Sequence, residues 1–349
     1  MDMVNMKKKN LVGLSASDIY ELIRPEAYNL SHASAIANSI YKKRITDLSR
    51  ISKIPVKLQR YLGTIAQPFL HEPLGTEVSS DGTVKYLFCN PEGKKFETVY
   101  IPDKKRDTVC VSTQSGCRMG CPFCVTARYG FHGDLDTCDI ISQILGIPPA
   151  GKVTHVVFMG MGEPLDNLKN VLKACEILSA EWGMALSPRN ITISTVGITP
   201  AIIPFLEKTG CNLTLSLFSP FPEERIKAVP VEKKYPAIEI IEIMRGFPLK
   251  KKRRLSVAYV MISNVNDTDR HLEGLRNLLL GSGIRVNLLP YHSVQCDENV
   301  SSADERMMYF KHNLVLSGIS ASIRRSRGAD ISAACGLLAS GLMRQKKTK

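Results

Sequence analysis

Cys117-Arg118-Met119-Gly120-Cys121-Pro122-Phe123-Cys124 sets three cysteines into eight residues, spaced CxxxCxxC. A structural zinc site takes four closed ligands, and its cysteines usually come as CxxC pairs. Here one loop carries three, and no further Cys or His follows until His132. Three thiolates on one loop can hold three corners of a 4Fe-4S cube, whereas a plain ferredoxin cluster takes four cysteines. The fourth iron is then open to a ligand that is not protein. A zinc knuckle, or three unrelated thiols, is the alternative that the loop alone leaves standing.

Around this loop the chain alternates strands and helices. Apolar runs predict strands at 108–112, 153–158, 190–194, 211–217, 255–261 and 284–289. Between and after them, helical spacing fits 137–146, 167–180, 199–208, 236–245, 268–280 and 303–317. Alternation at these lengths means parallel βαβ units. The expected fold is therefore α/β, a partial (βα)6 barrel open on one side, with a doubly wound sheet as runner-up. Chemistry in such barrels collects at the carboxyl ends of the strands. The motifs follow that rule. The cysteine loop follows the first strand, Gly160-Met161-Gly162-Glu163-Pro164 the second, and Ser194-Thr195 ends the third. Ser216-Leu217-Phe218 ends the fourth, and Asn287 lies in the sixth.

Upstream the period differs. Ser17 can cap a helix carrying Ile19, Leu22 and Ile23; a second follows Ser31 and ends in Tyr41-Lys42-Lys43-Arg44; Pro55 opens a third. Residues 84–89 and 96–101 read as strands around the turn Asn90-Pro91-Glu92-Gly93. The expected organisation is a helical accessory domain over 1–80, a linking β-hairpin over 81–107, and a core over 108–349 with a C-terminal extension. Lys250-Lys251-Lys252-Arg253-Arg254 reads as a solvated basic loop.

The net charge of +13 favours a polyanionic partner, of which nucleic acid is the commonest. No apolar run approaches the ~18 residues of a membrane span, and no signal-peptide core follows Lys7-Lys8-Lys9. A cytoplasmic protein without membrane contact is expected. Its ten cysteines should then be reduced, so clustered ones point to metal or catalysis rather than a disulfide framework.

The cysteine loop, with Phe123 before its last cysteine, resembles the signature of the radical SAM superfamily, whose open iron serves reductive cleavage of S-adenosyl-L-methionine (SAM). Its flanks, Ser112-Thr113-Gln114-Ser115-Gly116 and Gly130-Phe131, look more specifically like the RlmN/Cfr family of RNA adenine methyltransferases. The resemblance implies a 4Fe-4S cluster on Cys117, Cys121 and Cys124. It implies SAM contacts at Gly162, Glu163, Ser194, Ser216, Leu217, Phe218 and Asn287. Phe218 departs from the pattern, because the family reads Ser-Leu-His there. Pro290-Tyr291-His292-Ser293 lacks the Asn-Pro pair common in the family. Cys335, within Arg327-Gly328-Ala329-Asp330-Ile331-Ser332-Ala333-Ala334-Cys335-Gly336, matches the cysteine that is methylated. Cys110 matches the thiol that resolves the covalent intermediate, and Glu97 the acidic residue that removes the ring proton. Without the resemblance each of these three is a packing or surface residue. Cys138, Cys175, Cys211 and Cys296 match no motif and are read as structural.

The implied activity is methylation of an adenine ring carbon in RNA, with two SAM molecules per turnover and a methyl-cysteine intermediate. Such a carbon is a poor nucleophile, so direct displacement on SAM fails there and a carrier cysteine gives the radical a handle. Carbon 2 of an adenine in 23S ribosomal RNA leads, with transfer RNA as a further substrate. Cfr-type methylation of carbon 8, which confers antibiotic resistance, is the near alternative. A non-enzymatic zinc-binding RNA protein is the distant one and needs a fourth ligand. Expected partners are RNA and an electron donor such as flavodoxin, with a monomer as the expected state. Arg324, Arg325 and Arg327 are candidates for gripping phosphate or for stabilising thiolates.

Overall fold

The structure, a computed structural model, describes residues 8–104, 106–148, 153–248, 253–293, 298–339 and 341–342. Lys250–Lys252 and Cys296 lie outside them. The first elements are β1 (Lys9–Asn10), α1 (Ala16–Ile23), α2 (Leu30–Tyr41), α3 (Val56–Ile65) and β2 (Ala66–Gln67). Ser15, not Ser17, caps α1, because its hydroxyl accepts from the Asp18 amide while Asp18 reaches back to the Ser15 amide. Asn29 caps α2 in the same reciprocal way with His32. Tyr41 anchors the module internally, its hydroxyl donating to Leu14 O at 2.6 Å.

β3 (Gly75–Val78), β4 (Val84–Cys89) and β5 (Lys95–Ile101) form an antiparallel meander, and β5 pairs antiparallel with β6 (Asp107–Cys110). The hairpin foreseen at 84–101 is therefore hydrogen-bonded into the edge of the main sheet. β3 was not foreseen; its four residues are mostly exposed and carry no buried alternation. After β6 come β7 (Gln114–Gly116), α4 (Val125–Tyr129), β8 (Phe131–Asp134), α5 (Thr137–Leu145), β9 (Val153–Phe158), α6 (Leu168–Ser179) and β10 (Ile191–Thr195). Then follow α7 (Thr199–Lys208), β11 (Asn212–Ser216), α8 (Pro222–Ala228), α9 (Ala237–Gly246), β12 (Leu255–Met261), α10 (Asp269–Leu279), β13 (Arg285–Pro290), α11 (Asp304–Leu316) and β14 (Ala321–Ile323).

The sheet order is β14-β13-β12-β11-β10-β9-β6-β5-β4-β3. From β6 to β14 every pair is parallel, and each new strand adds beside the last. A doubly wound sheet reverses its strand order at a switch point. This one never does, so the winding is that of a barrel, and β14 and β6 are left unpaired with each other among the described residues. The six expected strands all form, and β14 is a seventh that its three residues were too short to announce.

Helix α5 is buried along its whole length because the N-terminal module covers its outer side. A Cβ on Gly13 would come within 2.6 Å of the Cys138 amide, so only glycine fits that contact. Lys173 pairs with Asp18 across the same seam at 2.5 Å. Arg253 is not a solvated loop residue: its guanidinium donates to Leu206 O at 2.6 Å and Thr209 O at 2.9 Å, capping the free carbonyls at the end of α7. Among the described residues no helix is long and apolar enough to cross a membrane.

Candidate active site

The cysteine loop hangs from the short β7–β8 pair. Gly116 has φ +79°, and a Cβ there would fall 1.5 Å from Gly130 O. Glycine thus lets the two backbones touch, and the Cys117 amide donates to Gly130 O at 3.2 Å. The Cys124 amide closes the turn onto Cys121 O at 3.1 Å and hands the chain to α4. Arg118 steadies the loop from outside, bonding Asp166 at 2.7 Å and lying 4.1 Å over the Phe131 ring.

Cys121 is buried in a small apolar cluster with Ala228 and Val229, against which Phe123, Cys124, Val196 and Phe218 pack. Burial pushes the Cys117 thiol up to about 12, with Cys124 adding to the effect. Cys121 is pushed up too, by burial and then by Cys124 and Cys117, while Arg225 pulls it down. Cys117 and Cys121 are thus disfavoured as free thiolates, and the charge of a bound metal would offset that. Among the described residues no three metal-binding side chains are drawn around a single point. Thiolates of a multi-iron cube each bind a different iron and need not converge. The donor set fits such a cube.

Glu163 leaves the end of β9 through Gly162, which has φ +96° and sits so close to Gln114 that a Cβ would meet its side chain at 2.5 Å. The Glu163 carboxylate is buried. It accepts from Leu165 N at 2.9 Å, Thr195 Oγ1 at 2.6 Å and Val196 N at 2.8 Å. Burial raises its pKa to about 7, against the downward pull of those three donors. Those three donors take three of the four lone-pair sites of a carboxylate.

Ser194 and Ser216 end neighbouring strands with their hydroxyls 3.3 Å apart. Register carries the row onward from Ser216 through Ala258 to Asn287 and Ser322. Asn287 Oδ1 accepts from Ser322 Oγ at 3.0 Å and Arg324 Nε at 3.3 Å. Leu217 is fully buried. Phe218 holds φ +64°, a conformation a bulky residue adopts only when its surroundings enforce it. Two contacts do so. Its ring stacks on Phe123 at 5.4 Å and 15°, and its carbonyl accepts from Asn266 Nδ2 at 2.8 Å. The pair forms one wall of a cavity of about 430 Å³, which Pro122, Arg128, Lys227 and Ile262 also line.

Cys110 is buried on β6, opposite Val157 of β9 and Val99 of β5. Cys335 keeps solvent-accessible surface, and both cysteines are free thiols. Burial pushes the Cys110 thiol well up, and the next contribution is the Cys335 charge. Cys335 is raised by burial and by Cys124, with Arg324 pulling it down. Cys110, Cys335 and the cysteine loop thus share one neighbourhood, although 225 positions separate the first two.

A strap over residues 327–339 makes that meeting possible. Asp330 accepts from Ser79 Oγ at 2.6 Å, and Lys85 Nζ donates to Ile331 O at 2.7 Å. Past Cys335, the Val125 amide donates to Gly336 O at 2.9 Å, and Thr126 Oγ1 to Leu338 O at 3.1 Å. Glu97, buried on β5, accepts from the Ala339 amide at 2.8 Å and lies 3.9 Å from Lys85 Nζ. Burial raises Glu97, and Lys85 opposes that. Arg327 is spent on the strap itself, donating to Pro102 O at 2.9 Å.

Sequence reasoning missed Arg225, which is only 1% exposed. It pairs with Glu232 and donates to Leu217 O at 2.9 Å, Val196 O at 2.6 Å and Ser216 O at 3.0 Å. One guanidinium thus gathers the carbonyls at the ends of β10 and β11. Gln114 does the same for the loop, accepting from the Glu163 amide and donating to Asp134 and Asp166.

The sequence model of the radical SAM superfamily matches residues 111–276. A probable dual-specificity RNA methyltransferase RlmN of Parabacteroides distasonis is 40% identical over 331 residues, 95% of this chain and 96% of that protein. Its namesake in Thermus thermophilus is 39% identical over 329 residues, 92% of each. A crystal structure of a radical SAM methyltransferase from Sphaerobacter thermophilus superimposes with a TM-score of 0.86 at 33% identity, covering 95% of this chain and 99% of that one.

Proposed function

The chain belongs to the RlmN family of radical SAM RNA methyltransferases, and on that premise we propose that it methylates carbon 2 of an adenine in 23S ribosomal RNA, and of one in transfer RNA, by way of a methyl-cysteine at Cys335. As a member of that family it works with a 4Fe-4S cluster and SAM, two molecules per turnover. Cys117, Cys121 and Cys124 would hold the cluster. Gly162, Glu163, Ser194, the Ser216–Phe218 segment and Asn287 would hold SAM. When bound, these groups supply a methyl group and the radical that activates it.

The chain's own residues do the rest. Cys335 carries the methyl group and presents it, as a thioether, to the adenine ring. Glu97, whose raised pKa suits a base, takes the ring proton, and the unpaired electron left on the ring would pass to the bound redox group, so that a closed-shell thioether joins Cys335 to the base. Cys110 then attacks the Cys335 sulfur. The S–C bond breaks toward carbon, which is protonated to the product methyl, and a Cys110–Cys335 disulfide remains. Arg324 favours the thiolate of Cys335. The adenine must leave its stack to reach these groups, so an unpaired loop nucleotide suits best. The reaction takes place in the cytoplasm on a monomer, with a donor such as flavodoxin supplying electrons.

The single observation that carries this reading is the placing of Cys110 and Cys335 in one neighbourhood beside the cysteine loop. The test is mass spectrometry of adenosines from RNA treated anaerobically with reconstituted protein. 2-Methyladenosine is expected. 8-Methyladenosine would move the assignment to Cfr-type chemistry, and unmodified adenosine would overturn it.

A further inference from the structure

Backbone pairing between β11 and β12 stops just short of Phe218. Leu217 N donates to Ala258 O at 2.9 Å, and among the described residues no backbone bond joins the two strands past it. Phe218 is tied to the β12 side by a side chain instead. Asn266, fully buried in the turn after β12, donates through Nδ2 to Phe218 O at 2.8 Å and to Val260 O at 2.7 Å. Its Oδ1 accepts from the Ile262 amide at 2.8 Å, and its own carbonyl from the Tyr259 hydroxyl at 2.7 Å. The side-chain amide thus spends both hydrogens while its own backbone is held. From the other side Arg225 holds Ser216 O and Leu217 O.

Phe218 needs such a hold. Its φ of +64° is unfavourable for a residue with a Cβ, and its ring must meet Phe123, inside the cysteine loop, at 5.4 Å. A phenyl ring offers no hydrogen-bonding atom. Any polar contact of this residue with a ligand is therefore made by its backbone, whose direction Asn266 sets. One bond governs both what the segment presents and how the ring lies on the cysteine loop.

We propose that Asn266 is a positioning residue for SAM: through the Phe218 carbonyl it keeps the Ser216–Phe218 segment in its binding shape and the Phe218 ring against the cysteine loop. This rests on the reading that the segment holds SAM. A segment that is competent only part of the time binds its ligand more weakly by that fraction. The coupling is reciprocal: if the clamp favours SAM, SAM must favour the clamp.

The test joins equilibrium dialysis of labelled SAM against the anaerobically reconstituted full chain, without reductant, to hydrogen exchange on the wild type. Asn266→Asp keeps the acceptor for Ile262 but carries at most one hydrogen for two carbonyls, and it should raise the Kd for SAM about tenfold. Asn212→Asp cuts the same kind of bridge at the amino end of β11, where Asn212 donates to Arg189 O at 2.8 Å, and should leave that Kd unchanged. In the wild type, SAM should slow exchange of the Ile262 amide, which reports directly on the Asn266 side chain, and leave α1 and α2 as they were. An unchanged Kd in Asn266→Asp would overturn the proposal. An equal loss in both variants would do so too, because the effect would then be general loosening. So would unchanged exchange at Ile262 on saturation with SAM, an outcome that decides even where Asn266→Asp does not fold. Wild-type protein that binds no SAM would overturn the functional reading with it.

Discussion

Glu163 is the residue on which burial and hydrogen bonding pull hardest against each other. Its two oxygens receive three donors, and Val196 N alone faces Oε2. In Glu163→Gln the amide must turn its NH₂ toward Val196 N, leaving a buried donor unmet at a cost of about 1–3 kcal/mol. The pH dependence has a definite sign. The pKa rises from 4.5 to about 7 on folding, so the folded state takes up the proton. The stability this contributes is complete below 4.5 and is lost as pH rises through about 7. Urea denaturation at about pH 5 and about pH 8 should therefore show the gap between wild type and Glu163→Gln narrowing at the higher pH. A gap that stays the same would mean that the three donors keep the carboxylate ionised throughout. The cysteine loop yields a simpler expectation. Anaerobically reconstituted protein should carry about four irons per chain. Iron and sulfide analysis of the triple variant at Cys117, Cys121 and Cys124 should find almost none, and a full load there would remove the loop from the cluster.

The hairpin and the strap form the next scale. Lys85, 4% exposed, holds Ile331 O of the strap and faces Glu97 and Glu77 at 3.9 and 3.2 Å. Lys85→Met leaves a buried carboxylate without its cation and frees one end of the strap, which should cost about 3 kcal/mol in chemical denaturation. Glu97→Gln keeps an acceptor for the Ala339 amide and should cost less. Because both residues fasten the same strap, the double variant should lose less than the sum of the two, by about 0.5–3 kcal/mol. Strict additivity would show that Lys85 and Glu97 act separately. None of this fastening was legible in the sequence. The barrel strands were legible because each is an apolar run bounded by turn residues. Strand β14, Ala321–Ile323, is too short to show a period. Arg225 belongs to no motif, yet the fold closes over it because three backbone carbonyls converge there. The partners of the strap, Ser79, Asp81 and Lys85, lie about 250 positions away in chain order, and local pattern carries no trace of such pairing. The cysteine loop, by contrast, is a contiguous motif, legible in local order, and the resemblance of its flanks chooses between the cluster and zinc readings that the spacing leaves open.

At the scale of the whole molecule, the test is whether the barrel and the strap bring two thiols together for a purpose. Cys110 sits on the first parallel strand, and Cys335 on the strap that closes over the loop after that strand. The proposed roles predict different behaviour for the two variants. Cys335→Ala removes the methyl acceptor, so no methyl group should reach protein or RNA. Cys110→Ala leaves the acceptor in place but removes the thiol that releases the product. RNA should therefore remain bound to Cys335 through a thioether, which survives both denaturation and thiol reductant, unlike a disulfide. If both thiols only fill space, each variant should instead lose about 1–3 kcal/mol of stability and carry no adduct. A denaturing gel of Cys110→Ala after anaerobic turnover, run with and without ribonuclease, separates the two accounts. The expected result is a band retarded by RNA that collapses on ribonuclease treatment and resists reductant. A Cys110→Ala protein that turns over as wild type does, or that holds methylated Cys335 yet never carries RNA, would leave the two cysteines as neighbours without a shared reaction.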